Sequence, residues 1–177
     1  MKKHCLAGVS AVLLLVLTAC SASLPVGKSG SIALQPFFHQ EMGIRGVAPH
    51  GCSHAQPGTV ECPDLISGQA PVVLVQQAAP VPLDELMDVV LASTTLDQLP
   101  EPTGSYKGTA FTWDLYAVET QLKDLGPVTV RLDLALAEDG SASYLIAMVT
   151  LPEDFEANTA LLETVYTHAL YSLAPLE

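Results

Sequence analysis

Val128-Thr129-Val130-Arg131-Leu132-Asp133-Leu134-Ala135-Leu136-Ala137-Glu138-Asp139-Gly140-Ser141-Ala142-Ser143-Tyr144-Leu145-Ile146-Ala147-Met148-Val149-Thr150-Leu151 reads as two strands joined by a tight turn. Val128, Val130, Leu132, Leu134 and Leu136 alternate with Thr129, Arg131 and Asp133; Leu145, Ala147, Val149 and Leu151 alternate with Tyr144, Ile146 and Met148. Successive side chains of a strand point to opposite faces, so a period of two puts one apolar row on each strand. The second strand is apolar on both faces, which predicts a central position covered above and below. Asp139-Gly140 is a two-residue hairpin signal, because both residues tolerate positive φ. With those two as the loop, Leu134 faces Leu145, Leu132 faces Ala147, Val130 faces Val149 and Val128 faces Leu151. The other side sets Arg131 opposite Met148 and Asp133 opposite Ile146. That mixed side, Arg131, Asp133, Tyr144, Ile146 and Met148, is a possible binding surface that needs cover from a helix, a ligand or a partner.

Just upstream, Phe111, Trp113, Leu115 and Ala117 alternate with Thr112, Asp114 and Tyr116, a third strand. Downstream, a helix from Pro152 or Glu153 to Leu173 opens on Glu153, Asp154 and Glu156, where the helix dipole favours negative charge. Phe155, Leu162, Val165, Tyr166, Ala169 and Leu173 form its buried stripe. An earlier helix starts at Pro82, with Leu83, Leu86, Met87, Val90 and Leu91 on one face and Ser93-Thr94-Thr95 at its end.

Before it, Gly43–Val47 reads as a strand, Thr59-Val60-Glu61-Cys62 as one arm of a loose hairpin turning at Pro57-Gly58, and Val72–Val75 as a buried strand. Phe37 and Phe38 dock a weakly patterned segment on the edge. The order is βββαβββα, about six strands with two helices. Segregated antiparallel strands closed by helices predict an α+β fold.

The N-terminus carries an address. Lys2 and Lys3 precede an apolar run from Leu6 to Leu17, a secretory signal over residues 1–19. That run is shorter than the about 20 apolar residues a membrane span needs. Leu17-Thr18-Ala19-Cys20 resembles the lipobox of bacterial lipoproteins. The resemblance implies cleavage before Cys20, lipidation of its thiol with fatty acyl chains such as palmitate, and further acylation of the new amino terminus. Two or more acyl chains anchor a protein stably. Ser21 is not the aspartate that retains lipoproteins, so in a two-membrane bacterium the resemblance implies the outer membrane. Residues 20–31 read as a Ser/Gly tether, and residues 32–177 as one α+β domain.

Losing Lys2 and Lys3 lowers the formal charge by two, from −12 to −14. Such a surface repels phosphate backbones and makes nucleic acid a poor partner. With Cys5 removed and Cys20 lipidated, Cys52 and Cys62 remain. They lie five residues either side of Pro57 and would face each other across the hairpin. Outside the cytoplasm such a pair favours a disulfide over a metal or redox site. His39, Glu41, His50 and His54 surround Cys52 and leave a metal reading open. Gly27-Lys28-Ser29 lacks the earlier glycine of a phosphate-binding loop, and Ser31 stands where a nucleophile elbow needs glycine. No catalytic set and no cofactor site is read from the sequence.

The element order, with Gly43-Ile44-Arg45-Gly46-Val47-Ala48-Pro49-His50-Gly51 as its opening, resembles PsbP-type photosystem proteins and LpqN-type bacterial lipoproteins. The resemblance implies antiparallel sheets between helices and a binding or assembly role. In those domains the opening ends Gly-Trp; Cys52 stands in the Trp position here. Gln76–Pro80, Leu99–Pro102 and Thr112–Tyr116 also resemble accessory domains of extracytoplasmic serine hydrolases. The expected function is a lipid-anchored binding or accessory domain in the cell envelope, for an unknown protein or a small apolar ligand. The alternatives are a hydrolase helper and a metal-handling lipoprotein.

Overall fold

A computed structural model describes residues 32–176. The signal, Cys20 and tether readings lie outside these residues. The strands are β1 (Leu34–His39), β2 (Ile44–Pro49), β3 (Ser53–Gln56), β4 (Thr59–Cys62) and β5 (Val72–Ala79). Helix α1 (Leu83–Ser93) follows, then β6 (Gly104–Lys107), β7 (Thr112–Gln121), β8 (Thr129–Glu138) and β9 (Ser143–Thr150). Helix α2 (Pro152–Ser172) and the short β10 (Ala174–Pro175) complete the described chain.

Seven strands form one antiparallel sheet in the order β3-β4-β5-β9-β8-β7-β6, and β1-β2-β10 form a second. The α+β class is as expected, with more strands than the sequence pattern showed. As expected, β9 is central and buried on both faces. On one face Leu86 and Val90 of α1 cover Val130, Leu132, Leu134, Leu145, Ala147 and Val149. On the other, Phe155, Leu162, Ala169 and Leu170 of α2 share a core with Ile146, Met148 and the small sheet's Phe37 and Ile44.

The β8–β9 register differs from the expected one. Leu134 pairs with Ala147, Leu136 with Leu145 and Asp133 with Met148. Each apolar row keeps its face, since the shift is an even number of residues. The cause is the turn. Asp139 sits outside the two-residue tip, and its N–H donates to the Ala142 carbonyl. Gly140 takes the first tip position with φ +83°, where a primed turn calls for glycine. The Asp139 carboxylate then accepts from the Ser141 and Ala142 N–H groups and the Ser141 hydroxyl.

The hairpin β3–β4 brings Cys52 and Cys62 into a disulfide with 4.3 Å between Cα atoms. Their expected facing across Pro57 follows from the pairs Ser53↔Glu61 and His54↔Val60. Replacing both cysteines by serine should lower stability by about 2–3 kcal/mol in the chain-entropy account for so short a loop. Urea denaturation of oxidised and variant protein measures this, and equal midpoints would contradict it.

Gly46 explains part of the opening motif. A Cβ there would lie 2.5 Å from Gln76 Oε1. Buried Gln76 donates through Nε2 to the Val47 carbonyl at 2.8 Å and so ties the large sheet to the small one. Helix α2 has non-helical angles at Asn158 (φ −129°, ψ 21°). The Asn158 amide donates to the Asp154 carbonyl, and a side chain inserted into the ladder is a known cause of kinks. The far end of α2 is held by Trp113, whose Nε1 donates to the Leu170 carbonyl at 3.0 Å.

Candidate binding cleft

Helix α2 crosses β9 and β8 and covers β7 at Trp113, but leaves the strand open from Leu115 onward. Leu115 is half-buried and Ala117 and Glu119 are exposed on the strand that α2 leaves open. Beneath the edge of the helix lies a cleft of about 200 Å³, lined in part by Ala117, Arg131, Asp133, Phe155, Glu163 and Tyr166.

Arg131 and Asp133 are two apart on β8 and therefore share a face. Arg131 donates from Nε to Asp133 Oδ2 at 2.9 Å and from NH2 to Oδ1 at 2.8 Å, a bidentate pair. Its guanidinium carbon stands 3.7 Å above the centre of the Phe155 ring. The hydrogen bond to Asp133 raises the Arg131 pKa against the opposing effect of burial. Two further carboxylates act on this guanidinium. Glu119 is its cross-strand partner, and Glu163, on the α2 wall of the cleft, acts on it through space without an ion pair. The Tyr166 ring is half-buried, whereas its hydroxyl is out of contact with solvent and has no hydrogen-bond partner. Burial first, and the Asp133 charge second, push its pKa well above the ordinary tyrosine value.

The expected surface thus divides. Arg131 and Asp133 line the cleft; Met148 touches it from below but is 1% exposed and offers no more surface than the core around it, which corrects its expected place on the surface. Tyr144 and Ile146 are a correction: they are 4% and 0% exposed, in the core under α2, and offer no surface. Tyr144 instead packs on Phe111 with ring centroids 4.0 Å apart and donates its hydroxyl to Asp139. Sequence reading missed Phe155 and Glu163 as cleft residues and Glu119 as the neighbour of Arg131 at its margin. The available signal was helical spacing: Phe155, Glu163 and Tyr166, at i, i+8 and i+11, fall on one side of α2.

The disulfide commits both thiols near the histidine cluster. His54 stacks on Phe37 with centroids 5.7 Å apart, and His39 Nδ1 accepts from the Met42 N–H. Among the described residues no three His, Cys, Asp or Glu side chains come together to hold a metal. Under α1, an apolar crevice lined by Val75, Leu132, Leu145 and Val149 measures about 50 Å³. That is less than two water volumes at about 30 Å³ each. Among the described residues no helix is long and apolar enough to cross a membrane.

The tyrosines set an alkaline limit. Burial, then the hydrogen bond to Asp139, pushes the Tyr144 phenol up to about 12. A folded-state pKa above the unfolded value of about 10 gives stability fully present below pH ~10 and lost as pH rises towards 12. Base titration should show unfolding and tyrosinate absorbance rising together in that window. Tyr144 ionising near pH 10 in an intact fold would contradict this.

No family model and no curated protein matches the chain. Among solved structures, the Saccharomyces cerevisiae Ran-binding protein Mog1p is similar over 83% of this chain and 97% of its own, at 11% identity and a TM-score of 0.51. Cyanobacterial PsbP (CyanoP) from Synechocystis sp. PCC 6803 matches over 90% of this chain and 98% of its own, at 14% identity and a TM-score of 0.47. A Pseudomonas aeruginosa protein of unknown function matches over 78% and 95%, at 15% identity and a TM-score of 0.44. The likeness to Mog1p shows a shared α+β fold.

Proposed function

We propose that this chain is a lipid-anchored, extracytoplasmic binding domain that holds a protein partner at the membrane surface through the cleft beside α2. The observation that carries the reading is the uncovered end of β7. Ala117 is exposed beside a half-buried ion pair and an unpartnered hydroxyl, where the same face of β8 and β9 is roofed. The lipobox-like Leu17–Cys20 supports the anchor, and the Cys52–Cys62 disulfide fits an oxidising compartment. An extracytoplasmic hydrolase is one partner of the kind the Gln76–Pro80 resemblance implies. No observation favours the metal-handling alternative.

The test is site-specific photocross-linking in the native membrane, from Ala117 and, as a control, from exposed Asp88 on α1. A discrete adduct should form from Ala117 alone and disappear in the unanchored Cys20→Ser variant. Adducts of equal yield from both positions, or none, would overturn the cleft as the contact. Fatty-acid label persisting on Cys20→Ser would overturn the anchor.

A further inference from the structure

We infer that the cleft receives a cationic side chain, arginine or lysine, from a basic segment of the partner protein. The inference rests on the binding reading above and adds the chemistry of what is bound.

Size is the first argument. About 200 Å³ falls below the about 300–1,000 Å³ of pockets that enclose whole small molecules. It suits one inserted side chain.

Charge is the second. Asp133, Glu119 and Glu163 surround a single guanidinium, so the cleft stays negative after Arg131 is neutralised. The whole chain carries a formal −12, which draws cations towards any concave site. A carboxylate or phosphate group would meet repulsion there.

The third argument is that the protein already shows the contact it would make. Arg131 lies on an aromatic face with a carboxylate fork beside it, the arrangement that favours guanidinium groups. A second cation entering past Ala117 finds Glu163 and Glu119 without any ion pair among the described residues. Two hydroxyls near the site lack partners: Tyr166, on the cleft wall, and Thr150, paired in register with Arg131. Both oxygens are closed to solvent in this structure, so a bound N–H would reach the tyrosine oxygen only where the cleft wall opens.

The probe is a short glycine–serine peptide with one central arginine, titrated at low salt into the mature lipidated chain in detergent micelles. NMR reads the Arg131 Nε–H and the backbone amides of Ala117 and Tyr166. The matching citrulline peptide has the same shape without the charge. Saturable shifts at these positions are expected for arginine, at least about tenfold weaker for citrulline, and weakening as salt rises. Glu163→Gln and Glu119→Gln, both at exposed positions, should each weaken arginine binding several-fold without altering the fold. Equal binding of the citrulline peptide, shifts elsewhere, or no saturable shift would overturn the inference. If the arginine peptide fails while Ala117 still cross-links a partner, the cleft remains a binding site and only its preference for a cation falls. If both fail, the binding reading falls as well.

Discussion

Trp113→Ala should destabilise the protein by about 4 kcal/mol, near the upper end for large-to-small core changes. Trp113 is 0% exposed and sits edge-on to Phe111 with ring centroids 5.4 Å apart. Alanine removes that packing and leaves a void. It also orphans the Leu170 carbonyl that the indole N–H serves. Thr109 holds the next carbonyl, that of Tyr171, through both its N–H and its hydroxyl. The C-terminal end of α2 is therefore fastened by the β6–β7 connection. Trp113→Phe separates the two effects: it keeps most of the apolar burial and should lose only about 1–2 kcal/mol. Urea denaturation gives both values. Equal losses from the two variants would mean that the hydrogen bond, and not the packing, carries the site.

Arg131→Leu should cost about 3 kcal/mol, because Asp133, 7% exposed, would be left as a nearly buried carboxylate without its partner. Adding Asp133→Leu should recover at least half of that loss. A buried pair replaced as a unit by apolar residues is often neutral, whereas one broken partner is not. The double variant should nevertheless lose partner cross-linking from Ala117. A double variant no more stable than Arg131→Leu would show that Phe155 stacking, and not the ion pair, is what Arg131 contributes.

Long periodic stretches made most of the fold legible. The alternation of Val130, Leu132 and Leu134 with Arg131 and Asp133 located β8 and its two faces. It could not locate the register, because every even shift satisfies the same alternation. Only the local chemistry at Gly140 and Asp139 chooses among them. β1 was obscured by Pro36, tolerated because that strand lies at the edge of the small sheet. β6, Gly104–Lys107, is too short to show a period. Phe155 and Tyr166 were read as a core stripe, and they do face the sheet. Their role at the cleft depends on where α2 stops relative to β7, and no local pattern of residues encodes that placement.

The strand order carries a kinetic consequence. β3, β4 and β5 form one run of sequential neighbours, and β6 to β9 form another. Each can assemble from contacts close in sequence, and the Cys52–Cys62 bridge lies wholly at the start of the first. The two runs meet only along β5 and β9, where Val73 pairs with Val149 and Ala79 with Ser143. Closing that seam spends loop entropy across α1 and the whole second run, and pairing distant in sequence is slow. The expected slow step of folding is then the pairing of β5 with β9. Substitutions at the seam, such as Val75→Ala, should retard refolding more than substitutions within either half, and the disulfide can close before the halves meet.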